Sequence, residues 1–487
     1  MIQSLKNNFN IIVIVALSSL FIIHIFLLQD TILDPGDGLN HFQIAKYSWK
    51  YPHLFLDHWG KPFFTLLSSP FAQLGFQGML FFNTCLFLIT SFMLLKISVL
   101  LNLKNSWLAV VFCFISPVYF MLVLTGLTEI LLALAILVGV YFFLKQKYLL
   151  GTVILSFSFF IRPESVAIVP WFVLYLFIKR QYLSIPFVFT AFVIYSVIGY
   201  FYCNYFFWVI NQKPYSNSGT YGSGNLFYFV LNYKNITGSV VFICFLVGSA
   251  LILISWLKDR FNITSMYLKW TLLIILPIVS VYVVHSVLWW KGLQGSAGLL
   301  RVMATIVPLM ALTALFAVNT ILDYCTKKIS WLTPKHIILS LIFLAIILVV
   351  NKNRKIEIDS KMIQSQKTLT DVAEWYKKNA GNRKIYYMPP YFAYIAGIDP
   401  YSENGSIENM RRFNNKEKPS ENIKEGELIL WETQFSIKEG KLLIENLWND
   451  DKLVLIKSFH PENKIVFWGE KYEVHLFEKI KETTIQK

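Results

Sequence analysis

The chain has 487 residues, of which 55% are hydrophobic and only 15% charged, and its mean hydropathy is +0.53. Soluble domains carry about 25% charged residues, so this composition excludes a soluble enzyme, a disordered chain and a nucleic-acid binder built on a basic patch. The net charge of +15 is lopsided: the first 351 residues hold 21 basic and 8 acidic side chains, whereas residues 352–487 hold 23 and 21.

An apolar part therefore precedes a polar, mixed-sign part, with a boundary near Asn351. Cys85, Cys113, Cys203, Cys244 and Cys325 all lie in the first part, so no disulfide framework is expected in the tail.

A membrane-crossing helix needs about 20 apolar residues. Along the chain, spans are expected at 10–29, 67–95, 107–124, 128–144, 148–161, 164–178, 184–208, 237–257, 270–290, 298–320 and 336–350. The first lacks a small-residue cleavage site and reads as a membrane helix rather than a signal peptide. Basic residues gather on alternate connections: Lys6; Lys96 and Lys104; Lys145 and Lys147; Lys179 and Arg180; Lys258, Arg260 and Lys269; Lys327, Lys328 and Lys335. These connections are expected in the cytoplasm, with the N-terminus. An odd number of spans then puts the tail outside.

Behind the first span comes Asp34-Pro35-Gly36-Asp37-Gly38-Leu39-Asn40-His41. Asp-Pro and Pro-Gly mark a turn. From Leu39 an amphipathic helix is expected along the membrane surface. Asp37 at its start reads either as a cap or as a catalytic carboxylate. His41, one turn on, reads as a packing or a functional histidine. Before the second span, His58-Trp59-Gly60-Lys61-Pro62 places Lys61 where the chain re-enters the bilayer. It reads as a snorkelling lysine or as a cation for a lipid-linked phosphate.

Charged residues within or at the ends of spans are functional candidates by default. Glu129 opens one span. Arg162-Pro163-Glu164 sits in a tight hairpin, because Pro163 breaks the helix. His285 lies beside Trp289, Trp290 and Lys291, and Arg301 lies one turn into an apolar helix. Glu129, Arg162 and Glu164 read as helix-end ion pairs or as the lining of one cavity, whereas the tryptophans suit an interfacial belt and Arg301 needs a partner or an anionic ligand. Between the spans, Trp208 to Gly238 is a long outer connection, rich in Tyr, Asn, Ser and Gly.

The tail alternates signals. Thr368–Asn379 and Ile437–Leu447 suit helices. Lys384–Met388, Glu427–Trp431, Lys452–Ser458 and Tyr472–Glu478 suit strands. The expected architecture is an all-α polytopic membrane bundle of about 11 transmembrane helices with a C-terminal extracytoplasmic α/β domain.

This arrangement resembles the C-class (GT-C) polyprenyl-phosphate-sugar-dependent membrane glycosyltransferases, whose relatives include protein O-mannosyltransferases and lipid A aminoarabinose transferases. Asp37–Tyr47 (DGLNHFQIAKY) is similar to their Asp-Glu-x-x-Tyr-x-x-x-Ala pattern, and His58–Phe64 (HWGKPFF) to His-x-x-Lys-Pro-Pro-Leu. Arg301 through Pro308 is similar to Arg-Tyr-x-x-x-x-x-Pro. Gly38 replaces the second acid, Phe63 the second proline and Val302 the tyrosine, so the sugar and the acceptor stay open.

The resemblance implies Asp37 as the catalytic base toward the acceptor hydroxyl. It implies Asp34, His41, His58, Lys61, Glu129, Arg162, Glu164, His285 and Arg301 as substrate-binding side chains. Among these, Lys61, Arg162 and Arg301 face the phosphate. It also implies inversion at the sugar, no metal and no cofactor. The partners are a polyprenyl-phosphate sugar and a lipid, glycan or protein acceptor, with no nucleic acid. The expected site of action is a bacterial inner or plasma membrane. A transporter or flippase, and a lipid-linked oligosaccharide polymerase or ligase, are the competing readings.

Overall fold

The structure, a computed structural model, describes residues 2–27, 31–211, 221–328, 360–381, 383–402, 410–467 and 469–480. The expected span 336–350 and the boundary at Asn351 lie outside the described residues. The chain divides into two compact units: Met1–Gln29, Ile44–Ser48 and Pro52–Asn353 form one; Asp30–Gln43, Trp49–Tyr51 and Arg354–Lys487 form the other. The tail thus shares its unit with most of the segment that follows the first span.

The first unit is helical. Among the described residues, six helices are long and apolar enough to cross a membrane: Phe9–Leu27, Phe76–Leu100, Tyr182–Tyr202, Ser239–Lys258, Met266–Lys291 and Leu300–Cys325. Glu129–Leu144, Tyr148–Phe160 and Ser165–Ile178 are shorter apolar helices. Large apolar side chains such as Leu183, Phe201 and Ile243 are exposed on the outer helices, as helices facing lipid require. The centre is Leu300–Cys325, in which every residue from Val302 to Leu315 is buried. At Gly248 a side-chain carbon would meet the Thr313 carbonyl at 2.3 Å. Only a glycine lets the two backbones cross there.

Prolines redraw several expected spans. The 107–124 run is two helices, Trp107–Ile115 and Pro117–Val123, because Ser116 is extended and Pro117 starts a new helix. The 67–95 run is Pro62–Ala72 followed by Phe76–Leu100, divided at Gly75, whose φ is 87°.

In the second unit a four-stranded sheet runs in the order β1-β2-β6-β3. Its strands are β1 (Ile385–Tyr386), β2 (Leu428–Glu432), β3 (Leu453–Phe459) and β6 (Val474–Lys479). β4 (Val466–Phe467) and β5 (Glu470–Lys471) form a separate hairpin. β1 pairs with β2 in parallel, and β6 is antiparallel to both neighbours. Helix Ser360–Ala380 extends well before the expected start at Thr368. The expected helix 437–447 is instead two, Thr433–Lys438 and Ile444–Trp448. Gly440 and Lys441 separate them, Lys441 taking a left-handed φ of 51°, which ends a right-handed helix. Trp431, Ile429 and Phe477 anchor the apolar core of this unit.

Candidate functional site

Five charged or titratable side chains named from the sequence meet inside the membrane unit. Glu129 begins helix Glu129–Leu144 and is fully buried. Arg162 ends the turn after Ser158–Phe160 and is 7% exposed. Its Nε donates to Glu164 Oε2 at 3.1 Å and its Nη2 to Glu164 Oε1 at 2.6 Å. Its Nη1 donates to Thr128 Oγ1 at 2.9 Å and lies 2.8 Å from Glu129 Oε1. The contact with Glu129 is an ion pair rather than an aligned hydrogen bond. Arg301 Nε reaches the same carboxylate oxygen at 3.5 Å. His285 is buried within electrostatic reach of Arg162 and Glu164, and its Nε2 has no hydrogen-bond partner among the described residues.

The sequence presented these groups as two sets on separate hairpins; the fold makes them one. Burying isolated charges is costly, and mutual pairing is what permits it. Arg162 is occupied on all three nitrogens, so it organises the two carboxylates. Arg301 has the most open side chain of the ion pairs here, at 19%.

Lys61 and His58 belong to a second constellation in the same unit. Gly60 N–H donates to Asp57 Oδ1 at 2.8 Å, and Thr65 Oγ1 donates to the Gly60 carbonyl at 2.8 Å. This tight turn holds Lys61 at φ 63°, a left-handed conformation unusual for a lysine before proline. Lys61 is 4% exposed; its Nζ donates to the His58 carbonyl at 3.0 Å and lies 5.5 Å above the Trp59 ring. A buried ammonium is not a snorkelling one. Burial, with Lys61 adding to it, pulls the His58 imidazole down to about 4. The turn packs through Leu56 and Phe63 against Phe157 and Phe160, the stretch that leads into Arg162.

Asp34, Asp37 and His41 lie in the other unit. Helix Asp37–Tyr47 forms as expected, and at its start Asp34 Oδ1 accepts Gly38 N–H at 2.8 Å. His41 through Ala45 are all buried.

No metal-binding group of three or more His, Cys, Asp or Glu side chains occurs among the described residues. No family model and no curated protein matches the chain. Solved structures do. The crystal structure of ArnT from Cupriavidus metallidurans in the apo state aligns over 96% of this chain and 97% of its own, with TM-score 0.54 and 12% identity. The same protein bound to undecaprenyl phosphate aligns over 94% and 97%, with TM-score 0.51 and 11% identity. This chain has an ArnT-like fold. That fold, with the six long apolar helices among the described residues, makes this chain an integral membrane protein.

Sequence reasoning missed three polar residues. Thr128 binds Arg162 and is signalled only by standing next to Glu129. Asn83 sits fully buried in an apolar helix, and its Nδ2 converges on the carbonyls of Leu122, Thr125 and Leu127 at 3.3, 2.5 and 3.2 Å. It fixes the turn that delivers Thr128 and Glu129. A polar side chain amid apolar neighbours was its signal. Gln366, considered below, gave none.

Proposed function

We propose that this chain is a membrane glycosyltransferase that moves a sugar from a polyprenyl-phosphate donor to an acceptor outside the cytoplasm. The observation that carries this reading is the buried Glu129–Arg162–Glu164–Arg301 network with His285, inside a fold of the ArnT type. A carrier for neutral solutes has no use for two arginines held at one buried place. A leaving phosphate does, because it departs with negative charge that fixed cations stabilise. The ArnT structure bound to undecaprenyl phosphate supports a polyprenyl donor.

In this reading Arg301 and Lys61 meet the phosphate, and Arg162 fixes Glu129 and Glu164. Asp37 takes the proton of the acceptor hydroxyl as its oxygen forms the new bond to the anomeric carbon. The bond from that carbon to the phosphate oxygen breaks in the same step. The sugar inverts, and polyprenyl phosphate leaves with the electron pair. Such a leaving group already carries its charge, so no metal is needed. The N-terminus and the basic connections lie in the cytoplasm, and the tail lies outside.

The test is incubation of purified protein with a panel of polyprenyl-phosphate sugars, following release of the lipid phosphate. Release is expected with the wild type and is lost in Asp37→Asn, which stays folded in the membrane. Arg301→Ala and Lys61→Ala should raise the donor KM more than the acceptor KM. Full transfer by Asp37→Asn would remove the base assignment, and solute movement in sealed vesicles without donor consumption would make the protein a transporter.

A further inference from the structure

The unit that holds Asp37 is knit together at several points along the chain. Gln366, 4% exposed on helix Ser360–Ala380, makes a reciprocal pair with the backbone of Ile32. Ile32 N–H donates to Gln366 Oε1 at 3.1 Å, and Gln366 Nε2 donates to the Ile32 carbonyl at 2.8 Å. A side-chain amide used this way imitates a strand partner and fixes both polar groups of one residue. The Phe435 ring lies against Gly36. Phe42 packs edge-on against Tyr394, with centroids 5.7 Å apart. Gln43 Nε2 donates to the Pro390 carbonyl at 3.3 Å. Beyond the helix, Asp399 Oδ2 accepts from Lys50 Nζ at 2.7 Å and from Tyr51 OH at 3.0 Å.

Asp37 stands between the first and last of these anchors, five residues after Ile32 and thirteen before Lys50. The anchors come from four separate places in the tail: helix Ser360–Ala380, the Pro389–Tyr394 stretch, Asp399 and the helix at Phe435. A loop that merely covered a surface would not need a reciprocal amide pair, two aromatic contacts and a shared carboxylate. Ordering a segment costs backbone entropy at every residue, so contacts spread over the whole segment are what keep it in one conformation.

We propose that the C-terminal domain is a positioning device for the Asp37 segment, with Gln366 as its principal positioning residue. This deepens the reading of Asp37 as the base and rests on it. The domain need not bind donor or acceptor to be essential. It sets where the carboxylate points, and a base must come within about 2.6–3.2 Å of the proton it takes.

The experiment uses the full chain in lipid nanodiscs, comparing wild type, Gln366→Ala, Asp399→Ala and, as a control on the outer face of the same helix, Glu374→Ala. Backbone hydrogen exchange is read at Ile32 and across Gly38–Gln43. Exchange about tenfold faster or more is expected at Ile32 in Gln366→Ala, with smaller increases in Asp399→Ala and none in Glu374→Ala. Transfer should show a fall in kcat of about tenfold or more for Gln366→Ala, with the donor KM unchanged. That split separates positioning from general loss of fold, which would lower donor affinity as well. Wild-type exchange at Ile32 in Gln366→Ala would overturn the proposal. So would raised exchange with an unchanged kcat. Failure of the underlying reading shows elsewhere, as full transfer by Asp37→Asn.

Discussion

At the scale of single residues, the informative property is which charges are buried together. Glu129 is fully buried between two arginines. Removing its charge takes one carboxylate from both Arg162 and Arg301, and breaking a buried pair costs about 3–5 kcal/mol. Glu129→Gln should therefore lower the thermal unfolding midpoint in detergent clearly, whereas the double change Glu129→Met with Arg301→Met should be milder, because one charge of each sign is removed and Arg162 keeps Glu164. Equal losses in the two would mean that the pair does not hold the fold.

His58 makes a pH prediction. Its proton is held near pH 6.5 in the unfolded chain and near 4 in the folded one. The unfolded state thus binds more protons between those values, and stability rises with pH through that window and is complete above it. In His58→Gln the fall in unfolding midpoint between pH 6.5 and 4 should be shallower than in the wild type. An unchanged slope would show that other groups control the acid side. Around neutral pH His58 is uncharged, so it leaves the positive charge near its turn to Lys61.

At the scale of elements, short interruptions place the chemistry. The Ser158–Glu164 turn and the bend before Glu129 bring carboxylates and a guanidinium to the ends of helices, where backbone is free to adapt. Pro163 could be read from the sequence as the breaker of one hairpin. Asn83 was not assigned a role, yet its amide holds the other bend by three carbonyls. Each carbonyl left unpaired in a dry interior costs about 1–3 kcal/mol. Asn83→Ala should thus destabilise the membrane unit by about 2 kcal/mol or more. It should also reduce donor use by loosening Glu129, as seen in unfolding midpoint and donor KM together. A stability loss with unchanged donor KM would confine Asn83 to the scaffold. In the tail, the helix expected over 437–447 failed because a left-handed residue after a glycine outweighed good periodicity.

At the scale of the whole molecule, the alternation of basic connections predicts sidedness. In a background lacking the five native cysteines, Lys147→Cys should resist a membrane-impermeant thiol reagent in intact cells, and Glu462→Cys should react. Reaction of both, or of neither, would overturn the orientation. Most of the charge excess lies in the first 351 residues and does not mark the site.

The sequence by itself determined the solvent this protein folds in, most helix starts and breaks, the strand positions of the tail and nearly every member of the charged cluster. Those features follow from composition, proline placement and hydrophobic period, which are local. Only the tertiary structure decided that Glu129, Arg162, Glu164, His285 and Arg301 are neighbours and that Gln366 clasps Ile32. These facts join residues up to 334 positions apart. No period or motif encodes such a distance, because it depends on how separate helices pack.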